Sequence, residues 1–145
     1  MKAESKNGAA VILADRAVGL ANYPHARIAG GLIFVSGVSC RRPDNTWEGV
    51  EELADGSWKS DISKQTAAVL ENIRVILQSV GTDLDSLVDL TVFLVDMKDY
   101  AAFNKVYNAY FAAENGPART TVAVRELPNP RLLIEIKAVA LAPSA

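Results

Sequence analysis

An arginine and a glutamate on neighbouring strand-like segments frame the chemical question. Arg119 opens the apolar segment after "ENGP", and Glu135 sits inside "LLIEIKAVA". A guanidinium presents a rigid fork of donors suited to a carboxylate, and a nearby carboxylate can move a proton from water. The alternation of side chains along a strand puts Ile134, Ile136, Ala138 and Ala140 on one face, leaving Glu135 and Lys137 on the other. The same reading places Arg119 and Thr121 off the core-packing row. Strand spacing by itself leaves a plain surface cation or a simple ion pair as the simpler interpretation.

The rest of the inventory is sparse. The chain has one histidine, His25, and one cysteine, Cys40, with no paired metal-ligand spacing, so no metal site and no cofactor is expected. It has no phosphate-cradling glycine motif either. Chemistry would therefore run on Arg, Glu, Tyr, Ser, Thr and backbone groups. A net charge of −2 argues against nucleic acid as a partner. "GGLIFVSGV" is far shorter than the roughly 20 apolar residues of a membrane span, and the N-terminus carries no signal-like block, so no membrane partner and a cytoplasmic location are expected.

The elements that must position these groups follow from periodicity. The 145 residues suit one domain covering 1–145. Residues 10–14 and 32–40 read as strands, preceded by room for one more, and "LANYPHARIAGG" reads as a connection between them. Residues 41–60 form a polar insert without sustained periodicity, read as a long loop. A helix is expected over 61–80, with Gly81 as its stop, then a strand over 85–97. A second helix is expected over 99–114, with the stripe Tyr100, Phe103, Tyr107, Tyr110 and Phe111 read most simply as core. Strands over 119–126 and 132–141 finish an α+β arrangement with the helices on one face of a mixed sheet. The other face would then need a partner.

Several segments together are familiar. "PARTTVAV…LP…IEIKAVA", "LIFVSG" and "VFLVDMKDYAAFNKVYNAYF" resemble, in order, the signatures of the RidA/YjgF family of enamine/imine deaminases. The resemblance implies a chorismate-mutase-like fold and a homotrimer with a central β-barrel and sites between subunits, and it leaves open whether trimers stack to a hexamer. It implies that Arg119 holds a substrate carboxylate, that Glu135 orients or activates water, and that Tyr23, Ser36 and Thr121 bind substrate. Thr121 stands where the family often has cysteine, and "ANYP" replaces a Gly-Pro-Tyr sequence. The insert "SCRRPDNTWEGVEELADGSW" with "LANYPHARIAGG" resembles the 2-aminomuconate deaminase branch. That branch implies a small dicarboxylate enamine as substrate, converted to 4-oxalocrotonate and ammonia. Arg41, Arg42, Arg27 and His25 are the candidates for its distal carboxylate. Two other readings stay open: a general 2-iminobutanoate/2-iminopropanoate deaminase, and a non-enzymatic ligand-sensing or chaperone-like trimer.

Overall fold

The computed structural model describes residues 2–144, and its strands and helices are those that hydrophobic patterning favours, with two additions. Seven strands make one sheet in the order β1-β2-β3-β4-β9-β7-β8. These are β1 Lys2–Ser5, β2 Gly8–Val11, β3 Ala26–Ala29, β4 Leu32–Val38, β7 Leu87–Leu94, β8 Ala118–Ala123 and β9 Ile134–Leu141. Most of the insert is turn and loop. It also contributes a separate two-stranded hairpin, β5 Val50–Glu52 and β6 Trp58–Ser60. "ARIA", read as part of a connection, is β3; its apolar residues are few, and pairing with both β2 and β4 decides its conformation.

The two helices, α1 Ile62–Gln78 and α2 Tyr100–Tyr110, are shorter than expected by a few residues at their ends. Asp61 caps α1 by accepting from the backbone N–H of Lys64 at 3.0 Å. Val69, Leu70, Ile73, Ile76 and Leu77 of α1 are buried. They pack with Ile33, Val35, Leu90, Val92, Leu94, Ile134, Ile136 and Ala138 into a single core on one side of the sheet. The strand β7 pairs parallel with β8 through the crossover helix α2, and β9 inserts antiparallel between β4 and β7.

One buried polar side chain ties the layers together. Gln65 of α1 donates to the Arg131 carbonyl at 2.9 Å and accepts from the Leu133 N–H at 2.8 Å. Both ends of its amide are thereby satisfied inside the core, which fixes where the chain enters β9. Gly49, at φ 70°, passes so close that a Cβ there would lie 2.9 Å from the Gln65 side chain.

Candidate active site

The register of the sheet decides where the two key side chains point. Leu90 on β7 pairs with Arg119 on β8 and Ala138 on β9, and both Leu90 and Ala138 are core residues. Arg119 therefore faces the helices, at the sheet edge beneath α2. Phe93 pairs instead with Glu135 and with Val122, and that row faces the side without helices. The expectation that Arg119 and Thr121 lie off the core row is corrected: in β8 the helix-facing positions are Arg119, Thr121 and Ala123, while apolar Val122 looks out from the bare face. An edge strand can carry polar groups on its core side, because its flank remains open to water.

Arg119 has an aromatic seat. Its guanidinium lies 4.6 Å from the Tyr107 ring centroid, 5.0 Å from Phe103 and 5.7 Å from Tyr100, and it donates to the Tyr100 hydroxyl at 3.1 Å. The stripe on α2 thus fills the core with Phe103 and Tyr107 and also mounts a cation. Among the described residues Arg119 has no carboxylate within ion-pair distance. In the same row, the Thr121 hydroxyl oxygen is buried and has no hydrogen-bond partner among the described residues.

Glu135 sits on β9 against the bulge of β4, where the register shifts between Val35 and Val38. A Cβ on Gly37 would come within 2.6 Å of the Glu135 Oε2, so glycine at the second position of the Ser36-Gly37 pair makes room for the carboxylate. Burial pushes the Glu135 carboxyl above the usual carboxylate range. Ser36 donates from its hydroxyl to the Pro24 carbonyl at 2.7 Å, and its N–H donates to the His25 carbonyl at 3.0 Å. These bonds dock the loop carrying Tyr23 onto β4. The Tyr23 ring packs over Gly19, where a Cβ would meet it at 2.5 Å.

Tyr23, Ser36, His25 and Arg41 line one cavity of about 80 Å³, together with Arg16 and Asn72. The other candidates have different employment. His25 accepts from the Leu13 N–H through Nδ1 at 3.1 Å and donates from Nε2 to the Ala17 carbonyl at 2.9 Å. Both ring nitrogens are spent on backbone, so His25 closes the loop and has no donor left for a carboxylate. Arg27 donates to Asn7 Oδ1 at 2.9 Å, to the Ser5 hydroxyl at 3.1 Å and to the Gly8 carbonyl at 3.4 Å, stapling the turn between β1 and β2. Arg42 is paired with Glu48 at 3.0 Å. Sequence reasoning missed Arg16, which falls in an irregular stretch where periodicity carries no signal. It also missed the seating of Arg119, although the coincidence of an aromatic helix with an adjacent edge-strand arginine was there to be read.

Cys40 is buried, and burial pushes its thiol up to about 11, which leaves it protonated and inert at neutral pH.

Residues 14–142 match the family described as Endoribonuclease L-PSP. The chain belongs to the RidA/YjgF family. A RutC family protein of Pyrococcus horikoshii is 42% identical over 118 residues, covering 81% of this chain and 85% of that protein. A yeast protein, YEO7, has a crystal structure that superposes with a TM-score of 0.79 at 32% identity, covering 92% of this chain and 98% of that one. The YjgF gene product of Escherichia coli superposes with a TM-score of 0.73 at 28% identity, over 91% and 97% of the two chains. RidA/YjgF membership supports an imine- or enamine-deaminating, hydrolase-type role. No helix among the described residues is long and apolar enough to cross a membrane.

Proposed function

We propose that this chain is a cytoplasmic, cofactor-free deaminase that hydrolyses 2-aminomuconate, through its imine tautomer, to 4-oxalocrotonate and ammonia. The observation that carries the reading is Arg119: a permanent cation on three aromatic rings, in the Pro-Ala-Arg sequence, without an internal anion. Such a guanidinium is preorganised for the carboxylate beside the imine carbon.

The chemistry then needs one proton carrier. The 2-amino-2-ene acid gains a proton on carbon, loses one from nitrogen and becomes the 2-imino acid. Water adds to the imine carbon while Glu135 accepts a water proton. The nitrogen of the tetrahedral adduct takes up the proton that Glu135 returns, the C–N bond breaks as the adduct's hydroxyl gives its proton back to Glu135, and ammonia leaves a 2-oxo acid. A carboxyl raised by burial suits this role, since it holds an accepted proton more firmly than an ordinary carboxylate and can return it to the leaving nitrogen.

Arg119 and Glu135 lie on opposite faces of the sheet with β7 between them, so one chain does not bring them together. The reading therefore includes a homotrimer, able to stack to a hexamer, in which Arg119 of one copy meets Glu135, Tyr23 and Ser36 of the next. The bare sheet face supports it, with Phe34, Val122 and Leu141 exposed there beside Phe93 and Val139. The nuclease named in the family description has less support. Arg42, Arg74 and Arg131 are already paired with carboxylates, and the chain is net acidic.

Ammonia release from 2-aminomuconate, compared with release from imines of small amino acids, tests the substrate. The expected result is a higher kcat/KM for 2-aminomuconate. A preference for the small imines by orders of magnitude would leave a general imine deaminase in its place, and no turnover of either would leave the binding-only trimer.

A further inference from the structure

The cavity beside Tyr23 and Ser36 contains two arginines that no internal carboxylate neutralises. Arg16 enters from the loop after β2, and Arg41 from the start of the insert, so distant stretches of sequence bring two arginines to the lining of one cavity. Each is held by one hydrogen bond of its fork. Arg16 donates to Asn72 Oδ1 at 2.6 Å, and Arg41 donates to the Val18 carbonyl. Asn72, on α1, also donates to the carbonyls of Ser39 at 2.9 Å and Arg41 at 3.2 Å. Its amide therefore fastens the Arg16 side chain and the Arg41 backbone to one helical position.

A guanidinium carries five N–H donors, so most of those on Arg16 and Arg41 remain uncommitted. Elsewhere in the chain Arg42, Arg74 and Arg131 each have a carboxylate within 3.2 Å. Arg16 and Arg41 have none within ion-pair distance among the described residues. Like charges lining one cavity repel, and an anion bound in that cavity is attracted to both. The cavity volume of about 80 Å³ accommodates a carboxylate group, given the roughly 10–15 Å³ that a single water centre requires. Gly37 lines the same cavity and lies against Glu135, so the cavity adjoins the proposed reaction centre.

We propose that Arg16 and Arg41 form an anion subsite that takes the distal carboxylate of a dicarboxylic substrate, with Asn72 as the positioning residue. The proposal rests on the deaminase reading for the orientation of that substrate. It separates the candidates named from sequence: Arg41 is retained, Arg27, Arg42 and His25 are not, and Arg16 is added. A monocarboxylate imine has nothing to place in this cavity, so the subsite sets selectivity for two carboxylates.

Calorimetric titration with cis,cis-muconate and with sorbate, a six-carbon dicarboxylate and monocarboxylate that cannot be deaminated, tests it without reference to turnover. The unaltered protein is expected to prefer muconate by about tenfold or more, the strength of a charge-assisted pair. Arg16→Gln and Arg41→Gln should each collapse that preference, and Arg16→Lys should restore part of it. Two independent variants from different loops guard against misfolding of either, with melting curves as the control. Undiminished preference for muconate in both Gln variants, or no preference in the unaltered protein, would overturn the subsite. Selective muconate binding without any imine turnover would instead retain the subsite and remove the deaminase.

Discussion

Arg131 and Arg119 are both mounted on aromatic rings, yet they have opposite fates. Arg131 is sandwiched between Trp58 at 4.3 Å and Trp47 at 5.5 Å, and Glu52 of the insert grips it at 2.6 and 3.2 Å. Its carbonyl accepts from Gln65 and from the Ser60 hydroxyl. The side chain and the carbonyl together latch the β5–β6 hairpin to the entry of β9. Arg119 lies over three rings but has only the Tyr100 hydroxyl as a polar partner. Aromatic seating alone therefore does not distinguish a structural cation from a receptor. Between these two arginines the difference is an internal carboxylate, because an ion pair already made leaves no charge for a ligand.

Removing the proposed proton carrier should have the largest effect. Glu135→Gln is expected to lower kcat by about 10²–10⁴-fold while sparing substrate affinity. Because burial raises its pKa, kcat/KM of the unaltered protein should fall as pH drops through a value above the ordinary carboxylate range, and this limb should vanish in the variant. The sign for stability is opposite. A carboxyl raised in the folded state contributes its stability below the unfolded pKa and loses it as pH rises through the folded pKa. At neutral pH Glu135→Gln should therefore melt no lower than the parent. Unchanged turnover in this variant would remove the catalytic assignment.

Arg119→Ala comes next, with kcat/KM reduced by about 10²–10³-fold and ligand affinity weakened, since both ground state and transition state lose their carboxylate clamp. Arg131→Ala should do the reverse and make the smallest change in catalysis: a melting temperature lower by a few degrees, with kcat/KM within about threefold at temperatures where the fold is intact. Equal losses of activity in Arg119→Ala and Arg131→Ala would erase the distinction between the two arginines.

Elements with strong periodicity were legible before the fold was known. The buried row of α1, the apolar alternation of β9 and the glycine-bounded β4 each carry their own signal. The β5–β6 hairpin had none. Its strands are three residues long, and the Arg131–Trp58–Glu52 latch that secures it spans 79 positions of sequence between Glu52 and Arg131. The face of β8 was misjudged for a related reason. Val122 is apolar yet lies 39% exposed on the bare face, so apolar alternation there does not mark this chain's own core. At the site, Arg119 and Glu135 stood out by motif. Arg16 did not, because convergence of two loops on Asn72 is a long-range fact that no local pattern encodes.

The proposed site needs Arg119 and Glu135 from two different copies. Mixing the inactive Arg119→Ala and Glu135→Gln proteins, with unfolding and joint refolding, tests it directly. In a cyclic assembly with random mixing, about a quarter of the sites draw an intact arginine from one copy and an intact glutamate from its neighbour. Ammonia release from 2-aminomuconate should then return to about a quarter of the parent rate. A refolded mixture that assembles yet stays as inactive as either variant alone would contradict the shared site.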